Sequence, residues 1–146
     1  MIDYRFYDTS SLLVAQNQED FLKSSDVIYL SSISLKEIEK IKNSETKGPD
    51  VKFAARHLSH LIDTYPDKFQ VIFFKNYMLE PIIKADLLIN DDMRILATAI
   101  WLDKNKHPDE LIFVSNDLSL KNHANLFFGD GCIEGYKDKY ENYKGF

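Results

Sequence analysis

The stretch Val27-Ile28-Tyr29-Leu30-Ser31-Ser32-Ile33-Ser34-Leu35-Lys36-Glu37-Ile38-Glu39-Lys40-Ile41 changes its period within a few residues. Val27 to Ser31 is a run of β-branched, aromatic and aliphatic side chains, which suits a strand. From Ser34 the apolar positions Leu35, Ile38 and Ile41 recur at three-residue spacing, as on one face of a helix. The same alternation extends to both sides. Tyr4 to Tyr7 reads as a strand, and Asp8-Thr9-Ser10-Ser11 carries helix-start chemistry ahead of Leu12-Leu13-Val14. Downstream, Lys42 to Asp50 with Gly48-Pro49 is a polar break. Phe53 to Ile62 is a helix with Phe53, Ala54, Leu58, Leu61 and Ile62 on one side. Gln70 to Phe74 is a third strand. Lys75 to Asn90, interrupted by Pro81, follows no clean period. Asp92 to Asp103 is the strongest helix, Leu111 to Ser115 a compact buried strand, Leu118 to Phe127 a helix and Cys132-Ile133 a last short strand. Strands alternating with helices predict an α/β domain with a mainly parallel sheet.

The chain has 146 residues, of which 45% are apolar and 28% charged, with five Gly and four Pro. That length suits one domain with a sizeable core, and the composition excludes collagen-like and intrinsically disordered classes. Twenty-three acids against 18 Lys and Arg give a net charge of −5, so binding to nucleic acid must rest on a local patch rather than on bulk charge. The single Cys132 excludes an intramolecular disulfide and points to a reducing compartment, the cytoplasm. No apolar run approaches the roughly 20 residues of a membrane span, and the N-terminus lacks signal-peptide character.

In parallel α/β sheets, functional groups gather beyond the carboxyl ends of the strands. Asp8 and Asp117 both fall at such ends, although each also suits a helix N-cap. Asp92 shares a helical face with Ile95, Leu96, Ala99 and Ile100, so it is aimed at the interior edge of the domain. Asp91 lies about 100° around that helix and suits the N-cap. Glu37 has two readings: Ser34-Leu35-Lys36-Glu37 has the pattern of a capping box, and Glu37 also borders the apolar stripe between Ile33 and Ile41. Four carboxylates from distant segments would repel one another in one pocket unless a divalent cation neutralised them, and hard oxygen ligands select Mg²⁺ or Mn²⁺. Such carboxylate-held metals serve phosphodiester hydrolysis.

Tyr7-Asp8-Thr9-Ser10-Ser11-Leu12-Leu13, Leu35-Lys36-Glu37-Ile38, Asp92-Met93-Arg94-Ile95-Leu96-Ala97-Thr98-Ala99 and Val114-Ser115-Asn116-Asp117 stand in the order of the acidic motifs of PIN domains. The chain resembles that family over nearly its whole length. The resemblance is nearest to the N-terminal PIN domain of PhoH-like proteins, in which an Ala-Arg pair, here Ala55-Arg56, follows the Glu motif. It implies a three-layer α/β/α fold with a central sheet of four to five strands. It further implies a Mg²⁺- or Mn²⁺-dependent endoribonuclease whose metal site is Asp8, Glu37, Asp92 and Asp117, with Asp91 as a further contributor. Ser10 and Ser115 would be supports, and Ser115 stands where the family commonly has Thr. Arg56, Arg94 and Lys121, with Lys36 and Lys40, are candidates for phosphate contacts.

On this reading residues 1–135 form the nuclease domain, and 136–146 form a tail that starts a linker; its Tyr136, Tyr140, Tyr143 and Phe146 suit base stacking, although a polar-aromatic tail more often packs on its own domain or a neighbour. The expected partners are single-stranded or structured RNA, a second copy of the chain, and an antitoxin, as for VapC-type toxins, or a fused ATPase domain, as in PhoH-like proteins. A fused ATPase would make this chain a fragment, since it carries no P-loop. The alternative function is a PIN-like module that binds RNA or protein without cleaving. Receiver and haloacid-type phosphatase readings fit less well, because only Asp8 stands at the first strand and Asp8-Thr9-Ser10 is not D-x-D.

Overall fold

The computed structural model describes residues 2–13, 18–24 and 26–133. Five strands form one sheet: β1 (Tyr4–Tyr7), β2 (Val27–Ser31), β3 (Phe69–Ile72), β4 (Leu111–Val114) and β5 (Cys132–Ile133). Their order is β3-β2-β1-β4-β5, and every pair is parallel. Seven α-helices occur among the described residues: α1 (Thr9–Leu12), α2 (Asp20–Lys23), α3 (Ser32–Lys42), α4 (Pro49–Thr64), α5 (Glu80–Lys84), α6 (Asp91–Lys106) and α7 (Leu118–Phe128).

Alternation along the central strands sends side chains to two cores. Phe6, Tyr29, Leu111 and Phe113 pack with Ile82, Leu96, Ala99 and Leu120 beneath α5, α6 and α7. Tyr7, Ile28, Leu30 and Val114 pack on the opposite face with Leu12, Phe21, Ile38 and Leu58. Each fully buried large side chain in these layers contributes roughly 1.5–3 kcal/mol. The result is the three-layer α/β/α architecture with a parallel five-stranded sheet.

The chain runs outward from β1 to β2 and β3, then returns to lay β4 on the other side of β1. The switch point therefore lies between β1 and β4, at the carboxyl ends where a ligand cleft forms. Asp8 N–H donates to Val114 C=O at 3.2 Å and continues the ladder by one residue.

Several element boundaries differ from the sequence expectations. Helix α3 starts at Ser32 with Ser31 as its cap, not at Ser34; the Ser31 hydroxyl accepts from Ile33 N–H. Helix α6 is capped by Asn90, whose side chain accepts from Met93 N–H, rather than by Asp91. Helix α4 begins at Pro49, where the missing N–H costs nothing. Its buried stripe is Val51, Ala54, Ala55, Leu58, Leu61 and Ile62, while Phe53 is 63% exposed and stacks on His57. Between Lys75 and Asn90, Pro81 opens α5 instead of breaking a helix, and Met78, Leu79 and Ile82 enter the core. The strand expected over 70–74 is Phe69–Ile72. The tail aromatics Tyr136, Tyr140, Tyr143 and Phe146 lie outside the described residues.

Candidate active site

A pocket of about 390 Å³ opens at the switch point, and Asp8, Glu37, Asp91, Asp92 and Asp117 all line it. These five acids come from four segments of the chain. Asp8 follows β1, Glu37 lies on α3, Asp91 and Asp92 occupy the first turn of α6, and Asp117 caps α7.

Asp8 is the most deeply set, being only 3% exposed. Its Oδ1 accepts from Ser11 N–H at 2.9 Å, which makes it the cap of α1. Its Oδ2 accepts from the Ser115 hydroxyl at 2.6 Å, and Ser10 Oγ lies 3.3 Å from the same oxygen. The Ser11 hydroxyl bridges the carbonyls of Asp8 and Val114 at 3.1 and 3.2 Å. Burial pushes the Asp8 carboxyl above its ordinary range, and the hydrogen bonds from Ser11, Ser115 and Ser10 pull it back down.

Glu37 is not part of a capping box. With Ser31 as cap, Ser34 lies inside α3 and is fully buried. Glu37 Oε1 instead accepts from the Thr9 hydroxyl at 2.6 Å, and that hydroxyl also lies 2.9 Å from Ser34 Oγ. Burial raises the Glu37 carboxyl first; the Thr9 bond lowers it, and the charges of Asp91, Asp92 and Asp8 raise it again.

Asp92 stands at the solvent-open side of the pocket. The protein around its carboxyl raises it most, followed by the negative charges of Asp117, Asp8 and Asp91. Its helix is fixed to β2 by a hydroxyl chain. Thr98 donates to Arg94 C=O at 2.7 Å, so Ser31 is the donor to Thr98 Oγ1 at 3.1 Å. Asp91 is engaged elsewhere, in an ion pair with Arg94 at 2.8 Å. Asp117 combines the two roles weighed for it: Oδ1 accepts from Leu120 N–H at 3.1 Å, and the residue lines the pocket.

The donor set is all oxygen, mostly carboxylate, and mutually repelling, which fits a hard divalent cation. Among the described residues, no three His, Cys, Asp or Glu side chains converge tightly enough to form a coordination sphere as they stand. The acids thus share a pocket wall rather than a common point.

Two lysines lie on the same wall. Lys40 was among the weaker sequence candidates, whereas Lys47 sits in the connection between α3 and α4, where the sequence offered no motif. Arg56 is exposed on α4, and Arg94 is held by Asp91; neither they nor Lys121 line this pocket. Of the histidines, His57 binds Gln18 and Glu19 at 2.8 and 2.7 Å, a structural role on α4.

A three-layer parallel α/β domain with a carboxylate pocket at its switch point defines a known class. The model of the PIN domain matches residues 6–127, so the chain belongs to the PIN domain family. Similar solved structures include PAE2754 from Pyrobaculum aerophilum, at a TM-score of 0.57 and 18% identity over 91% of this chain and 83% of that one. Another is a chain of VapBC2 from Rickettsia felis, solved bound to a DNA fragment from its promoter, at a TM-score of 0.53 and 18% identity over 94% of this chain and 100% of that one. At that identity both likenesses concern the fold. No curated protein matched the chain. Among the described residues, no helix is long and apolar enough to cross a membrane.

Proposed function

We propose that this PIN domain is a divalent-metal-dependent endoribonuclease. The carrying observation is that Asp8, Glu37, Asp91, Asp92 and Asp117 line one pocket at the carboxyl edge of the sheet. Asp8, Glu37, Asp92 and Asp117 would hold Mg²⁺ or Mn²⁺, with Asp91 in support. A bound ion would supply Lewis acidity toward the phosphate and a water acidified for attack.

The chain's own residues set the frame. Ser115, Ser10 and Ser11 N–H fix the Asp8 carboxylate from three directions. Thr9 fixes Glu37. Lys40 and Lys47 flank the acids and would meet the phosphates on either side of the scissile bond. The reading needs no covalent nucleophile from the chain: the attacking group would be water.

The single cysteine suits work in the cytoplasm. The proposal extends to a partner, an antitoxin as for VapC-type toxins or a fused ATPase domain as in PhoH-like proteins; the likeness in fold to VapBC2 is in keeping with the first. The test is cleavage of a mixed-sequence RNA with Mg²⁺, with Mn²⁺ and with chelator, beside Asp92→Asn. Metal-dependent cleavage that is lost in Asp92→Asn supports the reading. Equal cleavage in chelator, or full activity in Asp92→Asn, overturns it.

A further inference from the structure

A second cleft of about 330 Å³ adjoins the acidic pocket, and Asp92 belongs to the wall of both. Met93 and Leu120 line it and are buried. Leu88, 89% exposed, stands at its edge, with Asn90, Ser119 and His123 as its polar groups. An apolar surface with a few convergent polar groups is the composition of a small-ligand site, and the volume falls in the usual range of about 300–1,000 Å³.

The charge of the lining narrows the ligand. Asp86 and Asp92 contribute carboxylates, and no Lys or Arg lines the cleft, so a phosphate is repelled. The favoured occupant is neutral, with an apolar face and a hydrogen-bonding edge. His123 supplies a donor for that edge. Its Nδ1 is shut from solvent and meets no partner. A buried N–H without an acceptor is rarer than a bare acceptor, so a ring hydrogen is better placed on Nε2 than on Nδ1.

We propose that this cleft is a nucleobase subsite, seating the base of a nucleotide next to the scissile phosphate; the assignment rests on the nuclease reading above. The shared Asp92 wall supports it, because a phosphate at the acidic pocket places a neighbouring base beside α6 and α7. The consequence is a base preference at one position flanking the cut, favouring a base that presents a carbonyl oxygen or ring nitrogen to His123.

The test is a metal-free NMR titration of the folded chain with each of the four ribonucleosides and with ribose alone. At least one nucleoside shifts the Met93 and Leu120 methyl resonances and the His123 ring, and ribose shifts none of them. His123→Leu weakens that binding about fivefold or more. Ser119→Val, at an exposed helix position, does the same and serves if His123→Leu fails to fold. No shift with any nucleoside, or shifts that ribose reproduces, overturns the subsite whether or not the protein cleaves RNA. Shifts that follow protein concentration alone make the cleft a contact between copies and overturn it as well. Nucleoside shifts in a protein that cleaves nothing leave a nucleobase site standing but remove the nuclease reading, and with it the place beside a scissile phosphate.

Discussion

The Thr9 hydroxyl donates to Glu37 Oε1 at 2.6 Å, joining the turn after β1 to the second turn of α3. This contact separates the two roles that Glu37 could have had. A capping glutamate would reach back toward the start of its helix; this one reaches across to the first residue of α1 and into the acidic pocket.

Removing the side chain therefore costs no cap. Glu37→Gln is expected to fold normally and to lose metal affinity and cleavage, because the amide keeps the shape and discards the charge. The cap lies at Ser31, where Ser31→Ala is expected to cost about 0.5–2 kcal/mol. Chemical denaturation and an RNA cleavage assay on both variants check this. Full cleavage by Glu37→Gln would remove Glu37 from the site.

Thr9→Val keeps the volume and deletes the donor. The expected loss of stability is about 1 kcal/mol. Cleavage is expected to fall by about 10–100-fold, as when a group that orients a metal ligand is lost. Thr9→Ser, which restores the hydroxyl, should recover most of the activity. Rescue by Ser but not by Val marks a positioning role; equal behaviour of the two would refute it.

The metal-free protein should show an unusual pH dependence. Asp8, Glu37 and Asp92 are all raised above their ordinary values of 3.8, 4.5 and 3.8, first by burial. A carboxyl raised on folding binds its proton more tightly in the native state. Its contribution is fully present below the unfolded pKa and is lost as pH rises through the folded one. From about pH 4 upward, these groups should make the apo protein less stable. Asp92→Asn removes one of them and relieves Glu37, so its unfolding midpoint should fall less than the wild type's as the pH rises above about 4. Parallel curves for the two proteins would deny the coupling.

The alternation of strands and helices was legible because its periods change sharply, as between Leu30 and Leu35. The local boundaries were less so. Ser31, Ser32 and Ser34 offer similar cap chemistry, and the choice falls to where β2 ends in its pairing with β3, at Ser31 opposite Ile72. Asn90 took the cap of α6, leaving Asp91 and Asp92 both inside the first turn. The hydrophobicity of Phe53 suggests the core side, yet it lies outside the stripe of small and aliphatic residues that α4 buries. Asp8, Asp92 and Asp117 could be found because each stands near a strand end or a helix start, and Glu37 because it borders the apolar stripe of α3. Lys47 could not, since a connection between helices has no period, and only tertiary structure brings it to the pocket. Thr9 was visible as helix-start chemistry, but its partner lies 28 residues away.

Asp8 and Asp117 cap helices, yet the five acids together are held in one pocket for a divalent cation. The most direct measurement is the unfolding midpoint of wild type and Asp92→Asn against Mn²⁺ concentration at neutral pH. Without metal, Asp92→Asn should match or exceed the wild type, since it loses a repelled carboxylate. With metal, the wild type should gain about 1.4 kcal/mol per tenfold rise in Mn²⁺ above its dissociation constant, roughly 3–6 °C in midpoint, while the variant stays nearly flat. A wild type whose midpoint ignores Mn²⁺, or an Asp92→Asn protein that is strongly destabilised without it, would contradict the account.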